Sequence, residues 1–205
     1  MTDGPGGAPA LRHPTEADQR RLVGLVDEWF GGRRVRHLVG RSWFRHFGST
    51  SWLAADPAGR PVGFLIGYRS PDRPGEAVIH LVGVHPNDRR LGVGRALVES
   101  FLSDVARAGV TTVCAVAWPD DPIAVAVFRA LGFVPDDGPG SQRLFGISAF
   151  PDYDGDGEDR VVFVRDLATA GSGEAVQAGD DRKPSLDRRA PTPDHRRLPA
   201  RPSDL

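Results

Sequence analysis

The sequence predicts an α/β (α+β) domain with a mixed sheet, followed by a disordered C-terminal tail. Some segments repeat apolar residues at helical spacing, and others alternate or are rich in β-branched residues, as strands are. Their order is two helices, three strands, helix, strand, helix and two strands. The chain is 40% hydrophobic and 26% charged, and its 205 residues suffice for one domain with a buried core and a tail.

The N-terminal half predicts two helices and three strands. Thr15 followed by Asp18 is typical of a capping box at a helix start, and Gly31-Gly32 ends that helix. The range 35–47 predicts a second helix. Strands are predicted at 51–55, 62–68 and 76–84, the first two as a hairpin around a turn.

The C-terminal half alternates helices and strands. The range 94–108 has one apolar helical face, and 110–118 is a strand rich in β-branched residues. Asp121-Pro122 predicts the start of a helix that Gly132 closes. A last pair of strands, 145–150 and 160–164, is predicted around an acidic turn.

Composition sets the domain boundaries at 11–167. Residues 1–10 are rich in glycine and proline, and 168–205 contain no aromatic residue. Neither segment can bury enough apolar surface to offset the entropy lost on ordering. Both are predicted to be disordered.

Charge and cysteine content exclude several function classes. The 26 basic and 27 acidic residues give a net charge of -1, which argues against nucleic-acid binding. No apolar run is long enough for a membrane span, and no signal pattern is present, so we expect no membrane association and a cytoplasmic location. The single cysteine, Cys114, excludes an internal disulfide and a Cys-rich zinc module, and we expect no metal.

A glycine-bearing turn after the strand at 76–84 predicts an anion site. The loop that contains Arg89, Arg90, Gly92 and Gly94 leads directly into a helix, whose N-terminal N–H groups and partial positive charge favour phosphate. No Gly-Lys-Ser/Thr follows, which excludes a Walker loop. Leu97 stands where a dinucleotide fingerprint needs its third glycine.

Two motifs resemble those of the GNAT superfamily of N-acetyltransferases. Arg89-x-x-Gly92-x-Gly94 is similar to that family's pyrophosphate-binding turn, and Asp121-x-x-Ala124-x-x-x-Phe128-x-x-x-Gly132-Phe133 to its second conserved helix. The order of the elements agrees over most of 11–167. The resemblance implies a mostly antiparallel mixed sheet flanked by helices, and acetyl-coenzyme A as cosubstrate.

The resemblance also implies the residues that bind the cosubstrate. Backbone groups of Val82, Gly83 and Val84 would hold the pantetheine arm. The pyrophosphate would lie on the turn and helix start, formed by Arg89, Arg90, Leu91, Gly92, Val93, Gly94 and Arg95. Asp121 and Phe128 occupy family positions usually held by asparagine and tyrosine. Phenylalanine cannot donate a proton, so the thiolate would leave with the help of water or another donor.

An alkyl ammonium with a pKa near 10 needs a base before it can attack. His80 is the first candidate, because strand alternation predicts that it shares a face with Val82 and Val84, and its ordinary pKa of about 6.5 suits proton uptake. Glu76, at the same parity but farther back, is the second. Cys114 lies in an apolar strand, where a buried thiol is inert.

The predicted function is acetyl-coenzyme A-dependent N-acetylation of a primary amine by direct attack in a ternary complex. The alternative is a non-catalytic acyl-coenzyme A binding module, motivated by Phe128. The acceptor is a small molecule or a peptide amine, with preference for a small cationic amine because of the acidic turn at 152–159. That turn resembles the opening of a calcium loop but lacks the final glutamate. A homodimer is left open.

Overall fold

The computed structural model describes residues 8–167. The predicted disordered tail at 168–205 and residues 1–7 of the predicted disordered N-terminus lie outside the described residues. Ala10, which is predicted to belong to the disordered N-terminus, instead begins a strand and pairs with Ala55.

The described residues form five α-helices, three short 3-10 helices and nine strands. The helices are α1 Glu16–Leu22, α2 Val26–Trp29, α3 Arg41–His46, α4 Val93–Arg107 and α5 Pro122–Ala130, with short 3-10 helices at Arg36–Leu38, Gly48–Thr50 and Pro86–Asp88. The strands are β1 Ala10–Arg12, β2 Trp52–Ala55, β3 Pro61–Arg69, β4 Glu76–Val84, β5 Thr112–Ala117, β6 Val134–Pro135, β7 Gln142–Leu144, β8 Ile147–Ala149 and β9 Val161–Asp166.

Seven strands form one sheet in the order β1-β2-β3-β4-β5-β9-β6, and β7 and β8 form a separate pair. Within residues 8–167, β4 and β5 are the one parallel pair; all other neighbours are antiparallel. The predicted mixed, mostly antiparallel sheet with flanking helices is therefore confirmed. The parallel pair lies at the centre, where α4 supplies the crossover.

Each face of the sheet has its own apolar cluster. Side chains of α4 and α5 pack on one face, which we call the α4 face; they include Leu97, Phe101 and Phe128. Residues of α1 to α3 pack on the other, which we call the α1 face; they include Leu22 and Trp29. The sheet is thus covered on both sides, which leaves the strand ends and connecting loops to form a site.

The predicted capping box at the start of α1 is present and also ties down β1. The carboxylate of Asp18 accepts hydrogen bonds from the Thr15 N–H (2.7 Å) and hydroxyl (2.8 Å). Both of its oxygens accept from the Arg12 guanidinium at 2.8 Å. The ion pair with Arg12 and the bonds from Thr15 outweigh burial and hold the pKa of Asp18 far below its ordinary value.

Three predicted elements differ from the structure. The helix predicted to run to Phe30 is interrupted around Gly24 and becomes α1 and α2, since glycine has little helix preference. The helix predicted at 35–47 is a 3-10 turn followed by α3, with the extended Gly40 between them.

The strand predicted at 145–150 is present only in part, because 147–149 forms β8. Phe145 and Gly146 both have positive φ, as the two central residues of a tight hairpin turn do, so β8 folds back on β7. Instead of a ladder, a single bridge, Phe150 to Arg160, connects it to the start of β9. β9 pairs with β5 and β6.

Candidate active site

An opening between β4 and β5 provides a main-chain edge for a ligand. The two strands pair from Glu76 with Thr112 as far as Ile79 with Ala115, and no farther. β4 continues along β3 to Val84, and β5 continues along β9 to Ala117. Within the described residues no strand pairs with the β5 side of 81–83, so an extended molecule can form hydrogen bonds there.

His80 is the extra residue of a β-bulge at the mouth of this opening. Leu81 pairs with Ile66 and Ile79 pairs with Gly67, so His80 has no partner in β3. Before the bulge, Ile79 belongs to the α4-face cluster, whereas after it Leu81 belongs to the α1-face cluster. The alternation of faces is therefore reversed at His80.

The prediction that His80 shares a face with Val82 and Val84 is wrong for this reason. Val82 and Val84 pack against the α4-face cluster. The His80 ring lies on the other face, stacked on Trp43 with 4.3 Å between ring centroids and 25° between planes. His80 still borders the opening, because the bulge lies next to the last β4–β5 pair.

The loop before α3 holds the His80 ring. Its Nε2 lies 3.1 Å from the Leu38 carbonyl, which can only accept, so Nε2 carries the proton and Nδ1 is the basic nitrogen of the neutral ring. Burial lowers the pKa of His80; the Leu38 hydrogen bond and the charge of Asp154 oppose this, and the charge of His37 adds to it. The ring is therefore neutral at pH 7.

Glu76 is less well placed than His80. It lies at the start of β4, four positions before the bulge, which is about 13 Å along a strand. Its carboxylate lies 3.4 Å from the Arg73 guanidinium, with which it forms an ion pair. The second predicted base is thus engaged with a cation away from the opening.

The turn between β4 and α4 presents a run of free donors. Within residues 8–167, no carbonyl or side chain accepts a hydrogen bond from any main-chain N–H of 90–95; the first helical bond joins the Ala96 N–H to the Gly92 carbonyl. Arg90 and Gly92 have φ of 63° and 81°, and Gly92 is the N-cap of α4. Backbone of this kind forms a concave nest of N–H groups that suits phosphate.

The arginine side chains of this turn differ in their contacts. The Arg89 guanidinium donates to the Val84 carbonyl at 3.3 Å and also to the Trp29 carbonyl, so its side chain ties the turn to α2. Arg95 forms an exposed ion pair with Glu99 at 3.2 Å. Arg90 forms no hydrogen bond or ion pair within the described residues and is exposed. Arg89 was predicted to bind pyrophosphate, but its side chain holds the turn against α2.

Two glycines near the opening differ in how much space surrounds them. A Cβ on Gly83 would lie 2.8 Å from Phe64 and 2.9 Å from Phe30, so the main chain of β4 and the ring of Phe30 approach closely. A Cβ on Gly94 would meet Val84 at an ordinary 3.4 Å. The first glycine serves packing of the α1 face, while the second leaves room for alanine.

Asp121 and Phe128 have structural contacts. The Asp121 carboxylate caps α5 by accepting from the N–H groups of Ile123 (3.1 Å) and Ala124 (3.0 Å). Phe128 is buried, with its ring centroid 5.3 Å from those of Phe133 and Phe163. Position 128 therefore lies in the apolar core, where a hydroxyl would lack a partner.

Trp118, at the end of β5, connects the acidic turn to the N-terminal loops. The guanidinium carbons of Arg33 and Arg160 each lie 4.7 Å from its ring centroid. Arg160, which is buried, forms ion pairs of 2.8 Å with Asp154 and Glu158. The turn at 152–159 is thereby fixed beside the opening, and the charge of its Asp154 acts on His80.

The described residues form neither a metal cluster nor a membrane-spanning helix. No group of three or more His, Cys, Asp or Glu side chains in the described range is arranged to hold a metal ion. The Asp152 carboxylate instead accepts from the Gly157 N–H, within the turn. None of the described helices is both long enough and apolar enough to cross a bilayer.

Two contacts of the site were missed by sequence reasoning. Trp43 stacks on His80 and on Tyr68, and Leu38 supplies the carbonyl that orients the His80 ring. Trp43 and Leu38 belong to a range predicted as one helix, and no sequence signal indicates which of its residues meets β4. Cys114, which the sequence predicts to be buried, is half-buried. Desolvation still raises the pKa of its thiol to about 12, so the thiolate is absent at neutral pH.

Comparison with known proteins places this site in context. The model of the acetyltransferase (GNAT) family matches residues 18–133. An L-2,4-diaminobutyric acid acetyltransferase of Nocardia farcinica is 37% identical over 110 residues, which are 54% of this chain and 56% of the relative. An enzyme of the same name from Streptomyces coelicolor is 33% identical over 124 residues, 59% of this chain and 71% of the relative. The chain thus spans little more than half the length of the Nocardia relative.

Solved structures have the same fold. The crystal structure of Ard1 from Thermoplasma volcanium superposes with a TM-score of 0.64 at 22% identity, and covers 78% of this chain and 98% of its own. At this level of identity the likeness concerns the fold alone.

Proposed function

Because the chain belongs to the GNAT family of acetyltransferases, we propose that it transfers the acetyl group of acetyl-coenzyme A to a primary amine by direct attack in a ternary complex. The family match confirms the resemblance drawn from the turn at Arg89 to Gly94 and the helix at Asp121 to Phe133. The reaction, the acceptor and the residue roles that follow belong to the proposal.

The observation that carries the proposal is the run of free N–H donors at 90–95 beside the open edge of β4. A diphosphate on the turn satisfies donors that otherwise face only water, and the helix dipole of α4 adds to the attraction. The main chain at Val82 to Val84 would extend along the pantetheine arm. The site therefore fits an elongated cosubstrate with an anionic end.

The chemistry requires loss of a proton from the acceptor and stabilisation of charge on the thioester oxygen. His80 Nδ1, or a water it holds, takes the proton as the amine nitrogen bonds to the carbonyl carbon. A main-chain N–H near Val82 stabilises the oxyanion, a contribution that is typically several kcal/mol in acyl transfer. Collapse breaks the C–S bond, and the thiolate takes a proton from water, since its pKa near 8.5 makes it a fair leaving group.

A small cationic amine is the acceptor class that the charges favour. Asp154, beside the opening, raises the pKa of His80, so its field reaches the reacting centre. Ion pairing to Arg160 reduces this field without removing it, because Glu158 shares the same guanidinium. The two relatives are named for diaminobutyric acid, a small molecule with two amines, which agrees with this class.

A pair of variants at Gly94 tests the cosubstrate site. Gly94→Ala and Gly94→Pro both add a Cβ, but only proline removes the N–H, and the first helical turn tolerates proline. We expect Gly94→Ala to bind acetyl-coenzyme A like the wild type and Gly94→Pro to bind about tenfold more weakly, as loss of a charge-assisted hydrogen bond predicts. Calorimetry measures both, and equal binding by the two variants at equal melting temperature contradicts the proposed site.

A non-catalytic acyl-coenzyme A binding module is the second candidate, because Phe128 is buried in the core and supplies no acid. Release of free thiol from acetyl-coenzyme A with a panel of amines separates the two. Binding without thiol release from any amine favours the binding module. Thiol release that requires an amine establishes the transferase.

A further inference from the structure

A polar cavity lies beside the loop that holds His80. It is an open depression of about 400 Å³, lined by Asp27 of α2 and by Arg34, Arg36 and His37 of the segment before α3. The last three side chains are exposed to solvent. The proposed reaction uses none of these side chains. Three of the four are basic types, so the cavity is suited to an anion.

The one carboxylate in the cavity is already satisfied. Asp27 Oδ1 accepts from the N–H groups of Val35 (2.8 Å) and Arg36 (2.9 Å), and its Oδ2 accepts from the Arg36 side chain at 2.7 Å. These bonds outweigh burial and lower the pKa of Asp27, which stays charged. Asp27 thus fixes the loop and neutralises Arg36.

The side chains of Arg34 and His37 are available to bind a ligand. Neither side chain forms a hydrogen bond or an ion pair with any residue in the part of the chain that the structure describes. Arg34 therefore contributes an uncompensated positive charge and a fork of N–H donors, the geometry that matches a carboxylate.

The cavity is connected to the proposed reacting centre through His37. His37 immediately precedes Leu38, whose carbonyl holds the His80 ring, and the charge of His37 acts on His80. The charge of Asp154 also acts on the same ring. A ligand with a carboxylate in the cavity and an amine at His80 would match positive charge at one end and negative charge at the other.

We propose that this cavity binds the carboxylate of the acceptor, so that the acceptor is an amino acid with a side-chain amine rather than a simple polyamine. The inference rests on the proposed acetyltransferase function and names the acceptor class within it. Arg34 is the specificity-determining residue, and Asp27 and Arg36 position the loop.

Matched pairs of acceptors that differ only in the carboxylate test the inference. 2,4-Diaminobutyrate and 1,3-diaminopropane form one pair, and ornithine and putrescine form another. Thiol release with acetyl-coenzyme A gives kcat/KM for each. We expect the wild type to prefer the carboxylated member by about tenfold or more, the effect of an Arg–carboxylate contact. Arg34→Ala should reduce that ratio about tenfold, and Arg34→Lys should restore part of it.

Arg21→Ala, which removes an exposed arginine of α1, is the control for loss of one positive charge and should keep the wild-type ratio. Equal ratios in the wild type and Arg34→Ala overturn the inference while leaving the transferase intact. A higher KM for acetyl-coenzyme A in Arg34→Ala, the same with every acceptor, also overturns it, because the cavity would then hold a phosphate of the cosubstrate.

Calorimetric titration of 2,4-diaminobutyrate and 1,3-diaminopropane onto the protein loaded with coenzyme A gives a readout without turnover. Tighter binding of the amino acid that Arg34→Ala abolishes supports the inference even if no thiol is released. Failure of thiol release with every amine contradicts the proposed function instead. Equal binding of the two ligands overturns the inference alone.

Discussion

Replacing His80 by glutamine removes the basic ring nitrogen but keeps an N–H donor for the Leu38 carbonyl. General base catalysis is typically worth about 10²–10⁴-fold. Burial lowers the pKa of His80, so the ring is a weaker base than free imidazole, and we expect the low end of that range, about 100-fold in kcat. The retained donor should keep the melting temperature near that of the wild type.

The pH profile provides the second readout. Because the pKa of His80 is lowered from 6.5, its base form is present at pH 7, and activity is lost only as pH falls through the folded-state pKa, below about 6.5. His80→Gln should lack this acidic limb. Steady-state thiol release between pH 5.5 and 9 measures both effects, and His46→Gln, an exposed histidine of α3, is the matched control. Turnover within threefold of the wild type, with the acidic limb retained, would refute the role of His80.

Three further predictions concern stability and the remaining side chains. Asp18→Asn should lower the free energy of unfolding by about 2 kcal/mol in urea titrations, less than for a fully buried pair because Arg12 is partly exposed. The depressed pKa of Asp18 means that the wild type loses this contribution as pH falls below about 4, whereas the variant does not. Phe128→Tyr should destabilise by about 1–3 kcal/mol in thermal unfolding, because its hydroxyl would enter the cluster with Phe163 unpartnered, and should leave turnover no higher. Cys114→Ser should retain thiol release within about threefold, since a thiol with a pKa of about 12 is no nucleophile at neutral pH; loss of turnover without loss of folding would argue for an acetyl-cysteine intermediate.

The bounds of strand β4 and helix α4 were predicted accurately from the local sequence pattern. The range predicted from the sequence, 76–84, is the range observed, and α4 begins and ends within one residue of its prediction. Both elements carry a strong period of apolar residues, and glycine or proline borders them. The turn between them was likewise predicted as an anion site, and its free N–H groups agree with that prediction.

The same strand also shows where local pattern fails. Alternation placed His80 with Val82, but the register of β3 against β4 inserts His80 as an unpaired residue and reverses the faces after it. Nothing in the order of residues 76–84 indicates the bulge, since it depends on pairing with a neighbouring strand. Arg89 is a second case, because its contact with the Trp29 carbonyl joins residues 60 positions apart.

The chain's own periodicity and glycine placement determined its central strand and helix and the turn that suits a diphosphate, because those features depend on neighbours a few residues apart. Folding in three dimensions decided which face His80 occupies, which carbonyl orients its ring, and that Arg34 and His37 have no hydrogen-bond or ion-pair partner among residues 8–167. These outcomes arise from strand register and from loop–strand contacts such as Leu38 with His80, 42 residues apart. These pairings are stabilised by packing between residues far apart in the chain, so they cannot be predicted from the local sequence.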